Sequence, residues 1–240
     1  MANTAQESAG VLEKAENWVQ QHEIPRKVLH GSIAIITLYL YVHGTHLNQV
    51  TPVLIAMLVP IATIEVFRFA SPELNRAYIQ TVGPLMRESE KTGAVNGVIW
   101  YLAGLIVVFS IFPKDLSVLS VLLLSWADLS ASTIGRAYGK YTPQLYKGKS
   151  LAGSFAAFIC GIALTWLWYG YYVPAYNQFN LPQDILWTAE SSRLSLLSYS
   201  VTVGVVVAVA ELFPIIDDNF SIPVVSATAL WVILQAAKRN

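Results

Sequence analysis

The chain has 240 residues, 55% of them hydrophobic and only 12% charged, with a formal net charge of zero and a mean hydropathy of +0.50. Soluble domains carry about 25% charged residues, so this composition excludes an ordinary cytosolic enzyme, a coiled coil and a disordered chain. Its charge balance also argues against nucleic acid as a partner, and a single cysteine, Cys160, excludes an intramolecular disulfide.

Residues 1–25 are polar and lack the apolar core of a cleaved signal peptide, so the first apolar run is expected to be an uncleaved anchor. Within this tail Val11, Leu12, Ala15, Trp18 and Val19 share one helical stripe over Ser8–His22, which fits either an interfacial helix or a loosely ordered cytosolic tail. A bilayer core needs about 17–25 apolar residues per helix. Seven runs meet or approach this: Val28–Val42, Val50–Phe69, Val95–Phe112, Leu116–Thr133, Leu151–Val173, Leu194–Phe213 and Ile222–Ala237. Residues 26–240 thus read as an all-α integral membrane domain of about seven transmembrane helices, with six spans and a re-entrant first segment as the alternative. Lysine and arginine orient it. With the N-terminus cytosolic, eleven basic residues fall on the cytosolic side, and only Lys114, Arg193, Lys238 and Arg239 fall on the other. The rings of Tyr176 and Trp187 in the non-cytosolic loop fit an interfacial aromatic belt.

Ionisable groups at membrane depth are costly, so they point to function. In the fourth run Ser125, Asp128, Ser132 and Arg136 fall within one 100° arc of a helix, and Gly135 and Gly139 follow as places where a ligand could approach the backbone. The next loop, Pro143 to Ser150, contains Lys147, Gly148 and Lys149. It lacks the glycine spacing of a Walker A loop but is a glycine-flanked basic loop opening a helix, suited to phosphates. Glu211 and the turn Asp217-Asp218-Asn219 offer oxygen ligands to a hard divalent cation. Arg26, Lys27 and His30 open the first run, Glu65 and Arg68 close the second, and Asn96 opens the third. The charges between residues 73 and 91 read as a solvated loop. Bases, carboxylates and glycines thus gather at the cytosolic boundary, a site for a phosphorylated soluble substrate and a lipid arriving through the bilayer. The residues alone reach a membrane phosphotransferase or nucleotidyl transferase.

At these motifs the chain resembles the fungal CTP-dependent diacylglycerol kinases, part of a wider family with dolichol and phytol kinases and more distant phosphatidate cytidylyltransferases. The resemblance is carried by Arg26-Lys27-Val28-Leu29-His30, by Asn96–Leu102, and by Ser125–Lys140. It continues through Lys149–Ser154 and through Glu211 with Asp217–Pro223, spanning roughly residues 26–225. It implies transfer of the γ-phosphate of CTP to diacylglycerol, giving phosphatidate and CDP. It also implies a divalent cation, Mg2+ ahead of Ca2+, and residence in the endoplasmic reticulum and nuclear membranes. It makes Arg26, Lys27, Asp128 and Gly135 the functional positions. On this reading Asn96, Arg136, Gly139, Lys140, Lys147, Lys149 and Ser150 bind nucleotide. Glu211, Asp217, Asp218 and Asn219 hold the metal, with Asp128 either joining them or orienting the lipid hydroxyl.

Overall fold

The computed structural model describes residues 23–239; the N-terminal stripe over Ser8–His22 lies outside them. All seven apolar runs are helical: α1 (Ile24–Val42), α2 (Leu47–Ala70), α4 (Gly97–Ile111), α5 (Lys114–Tyr141), α6 (Leu151–Ala175), α7 (Leu196–Leu212) and α8 (Asp218–Ala236), with α3 (Pro72–Val82) lying between α2 and α4. Among the described residues α2, α5, α6 and α8 are long and apolar enough to cross a membrane, while α4 and α7 are shorter apolar helices.

Helix α5 is the axis of the packing. Leu116, Leu119, Leu122, Leu123 and Leu124 are fully buried, as expected of a helix apolar on every side. Helix α6 packs on both α5 and α7, α8 packs on α4 and α7, and α2 borders α4. Helix α2 is peripheral: Val53, Ile55, Val59, Val66 and Phe67 point outward, the surface a bilayer would cover.

Two features depart from the sequence reading. The segment between α5 and α6 is a small hairpin, β1 (Gln144–Tyr146) antiparallel to β2 (Lys149–Ser150), so the fold is not purely helical. Its turn places Lys147 at φ 43° and Gly148 at φ 82°, the left-handed region that glycine enters without a steric penalty. The second departure lies at the opposite end. Trp187 is buried against Tyr169 and Tyr199 and belongs to the core, not to an interfacial belt. It does so because Asp115, at the start of α5, accepts hydrogen bonds from the backbone N–H groups of Leu186 and Trp187 and from the Tyr169 hydroxyl. Lys114 pairs with Asp184 at 2.9 Å. A buried carboxylate needs such donors, and supplying them draws the loop onto the helix ends.

Candidate active site

One cavity of about 620 Å³ opens where α1, α6 and α8 begin and α5 and α7 end. On one side α1 starts after Glu23, and Trp126 Nε1 donates to Gly31 O at 3.0 Å, fixing α1 against α5. Helix α5 does not run regularly into the site. Leu123–Ala127 form a π turn, so the Asp128 N–H donates to Leu123 O. The π turn inserts the equivalent of one residue, a device common at functional sites. Its effect is to split the expected polar stripe. Ser125 turns inward to Tyr101, with Oγ 3.2 Å from the hydroxyl, while Asp128, Ser132, Gly135 and Arg136 line the cavity.

Asp128 is only 8% exposed. Its nearest ionisable partner among the described residues is His30, whose Nδ1 lies 3.8 Å from Oδ2, beyond hydrogen-bond reach. The His30 ring stands edge-on to Tyr101. At the mouth, Glu23 Oε2 lies 3.2 Å from Arg26 Nη1 and 3.1 Å from Arg136 Nη2. Burial opposes its ionisation, but the two guanidinium groups outweigh it and hold the Glu23 carboxyl below its ordinary pKa.

The opposite wall comes from the hairpin and from α6, α7 and α8. Ser150 caps α6, its Oγ accepting from the Gly153 N–H at 3.3 Å. Gly153 lets α6 approach α5 closely: a Cβ there would sit 2.9 Å from Ala131 O. The Lys149 ammonium bridges two carboxylates, at 2.7 Å from Asp218 Oδ1 and 3.3 Å from Glu211 Oε1, and also donates to the Glu211 carbonyl. Burial alone would lower the Lys149 pKa; Asp218 and Glu211 outweigh it and hold the ammonium above the usual lysine range. Arg87 completes the rim, bonded to Asp217 Oδ2 at 2.7 Å.

Of the residues singled out in the sequence, Arg26, Asp128, Ser132, Gly135, Arg136, Gly148, Lys149, Ser150, Glu211 and Asp218 line this cavity. The others stand outside its lining. Lys27 donates to Thr133 Oγ1 at 3.3 Å. The ammonium groups of Lys140 and Lys147 lie over the rings of Tyr141 and Tyr146. Gly139 abuts Ser150, where a Cβ would lie 2.8 Å from its Oγ, so the close approach there is between two chain segments. The Asn96 Oδ1 caps α4 by accepting from the Val98 N–H, and Asn96 Nδ2 donates to the Tyr78 hydroxyl. Arg87 and Glu23 line the cavity although their sequence surroundings read as a solvated loop and a tail. The charge cluster Arg87–Lys91 is the only signal that pointed toward Arg87.

The expected four-residue metal set is not assembled. Asp217 is turned to Arg87 and caps α8, and Asn219 Nδ2 donates to Gly97 O. Among the described residues no three His, Cys, Asp or Glu side chains stand close enough to hold an ion. Glu211 and Asp218 remain side by side on Lys149. Two carboxylates suit Mg2+, which takes one or two from protein and fills the rest of its shell with water and substrate phosphates.

No family model and no solved structure matches the chain. Over 232 residues it is 44% identical to CTP-dependent diacylglycerol kinase 1 of Saccharomyces cerevisiae, covering 94% of this chain and 80% of that protein. The counterpart in Schizosaccharomyces pombe is 44% identical over 219 residues, covering 90% of this chain and 96% of that one. The chain belongs to the CTP-dependent diacylglycerol kinase family. A more distant relative is the probable phytol kinase 2, chloroplastic, of Glycine max, 24% identical over 172 residues, 71% of this chain and 56% of that protein. Membership in the CTP-dependent diacylglycerol kinase family makes the cavity, rich in bases yet floored by a buried carboxylate, the place to look for phosphoryl transfer.

Proposed function

We propose that this chain is a lipid kinase that transfers the γ-phosphate of CTP to diacylglycerol, giving phosphatidate and CDP, with the cavity as its reaction site. The observation carrying this reading is the 44% identity, over almost the whole chain, to curated kinases of that name. The cavity adds chemistry suited to it. Phosphoryl transfer asks a protein mainly for positioning and charge neutralisation. Arg26, Arg87, Arg136 and Lys149 border one volume and can receive a triphosphate by exchanging their present carboxylate partners for phosphate oxygens. The lipid hydroxyl oxygen attacks the γ-phosphorus as the bond to the β,γ-bridging oxygen breaks. CDP leaves, and the hydroxyl proton passes to Asp128, which lines the cavity with no competing side-chain hydrogen bond among the described residues. A bound divalent cation, held by Glu211 and Asp218 together with the phosphates, would supply further neutralisation of the triphosphate.

The alternation of helix ends supports seven crossings. The starts of α1, α6 and α8 and the ends of α5 and α7 meet at one face, which is the pattern of a chain that crosses at every helix but α3. The basic residues on that face support a cytosolic assignment for it by the positive-inside rule. The family resemblance supports residence in the endoplasmic reticulum and nuclear membranes. The acceptor is tested with purified protein, CTP and, separately, diacylglycerol, dolichol and phytol. Phosphatidate is the expected product, and phosphorylation of only a polyprenol or phytol would overturn the choice of acceptor.

A further inference from the structure

Behind the cavity, away from its lining, lies the most densely bonded ionic cluster of the described residues. Glu65 and Arg68, at the end of α2, form a two-pronged pair at 2.6 and 2.7 Å and are 4% and 2% exposed. A buried pair of this kind costs desolvation and is weak evidence for stability alone, so its remaining bonds are informative. Arg68 Nη1 donates to the Glu90 carbonyl at 3.3 Å and Nη2 to the Ala94 carbonyl at 2.9 Å. Glu65 Oε1 accepts from the Asn96 N–H at 2.8 Å. The same segment is tied at its other end by Glu90, whose carboxylate accepts from the Arg87 N–H and from the Gly97 N–H, both at 3.0 Å. The pair therefore grips the backbone at Glu90, Ala94 and Asn96, Glu90 in turn holds the Arg87 and Gly97 N–H groups, and that segment delivers Arg87 to the cavity.

We infer that the Glu65–Arg68 pair is a positioning device for Arg87, holding its guanidinium where a nucleotide phosphate docks. The inference builds on the proposed nucleotide site, and it assigns a role to two residues that touch no substrate. Arg68 is suited to this and lysine is not. A planar guanidinium donates in a fixed fork to four acceptors here, the Glu65 carboxylate, the Asn75 amide oxygen and two carbonyls, whereas an ammonium has three donors and no fork. The backbone carbonyls set the height of the Arg87 turn, and Asp217 sets its lateral position through the 2.7 Å bond to Nη1. Loss of the pair would free the turn without removing any group from the cavity.

The test is a double-mutant cycle read by CTP binding, measured by calorimetry on the purified full chain in detergent, which does not require turnover. Arg68→Lys is expected to raise the Kd for CTP about tenfold, and Arg87→Ala to raise it at least as much. In the Arg87→Ala background the Arg68→Lys change should then add less than twofold, because its effect passes through Arg87. Glu65→Gln, which keeps shape and removes charge, gives the same pattern and serves if Arg68→Lys does not fold. An Arg68 or Glu65 effect that persists undiminished without Arg87 would overturn the inference, as would a fall in thermal stability with unchanged CTP affinity. Wild-type protein that binds CTP but leaves diacylglycerol unphosphorylated would overturn the proposed activity while the cycle still judges the positioning role. Wild-type protein that fails to bind CTP would overturn both.

Discussion

Lys149 is the most informative single side chain to remove. Its ammonium contacts Asp218, the Glu211 carboxylate and the Glu211 carbonyl, and it is 20% exposed in its side chain, between surface and interior. Lys149→Ala has two consequences. It leaves two carboxylates facing each other without a counter-charge; exposed pairs contribute about 0–1 kcal/mol and fully buried ones cost about 3–5 kcal/mol to break, so a loss of about 2 kcal/mol of stability is expected. It also removes one charge-assisted hydrogen bond to phosphate, worth about 1.5–3 kcal/mol, which corresponds to a rise of roughly ten- to a hundredfold in KM for CTP. The assay is initial rate against CTP concentration in mixed micelles with saturating diacylglycerol, beside a thermal unfolding curve. An unchanged KM for CTP in a folded variant would remove Lys149 from the nucleotide site and refute the reasoning.

Gly153→Ala places a Cβ 2.9 Å from Ala131 O and 3.4 Å from Gly135 Cα, so overpacking of about 1–3 kcal/mol should lower the unfolding midpoint in detergent; an unchanged midpoint would show that α5 and α6 can separate freely. Glu23 gives a pH signature. Its folded pKa lies below the ordinary value of 4.5, so its contribution is present above that value and is lost as pH falls through the folded pKa. The stability gap between wild type and Glu23→Gln should therefore be flat at neutral pH and close only in acid, and a gap that widens in acid would contradict the Arg26–Glu23–Arg136 contact.

Much of the helical frame could be read from apolar run length, because a segment with no polar face has few other ways to satisfy its backbone in lipid. The site was legible where a charged group interrupts such a run: Asp128 and Glu211 stand out because burying them needs a reason. It was less legible in the loops. Lys140 and Lys147 carry the same charge as Lys149, and nothing in their spacing reveals that the end of α5 lays one over Tyr141 and the hairpin lays the other over Tyr146. Arg87 sits among residues that solvation explains, and partners distant in sequence, Asp217 among them, hold it at the cavity. The π turn at Leu123–Ala127 was invisible as well. Helical periodicity carried across it placed Ser125 beside Asp128, whereas the extra residue turns Ser125 toward Tyr101.

We propose phosphoryl transfer from CTP to diacylglycerol, with Asp128 at the reacting hydroxyl. It is tested most directly by giving purified wild-type and Asp128→Asn protein diacylglycerol with CTP labelled either at the γ- or at the α-phosphate. Wild-type protein should place γ label in phosphatidate and leave α label in CDP, while folded Asp128→Asn should transfer neither. Appearance of α label in the lipid, or near-normal transfer by Asp128→Asn, would contradict it.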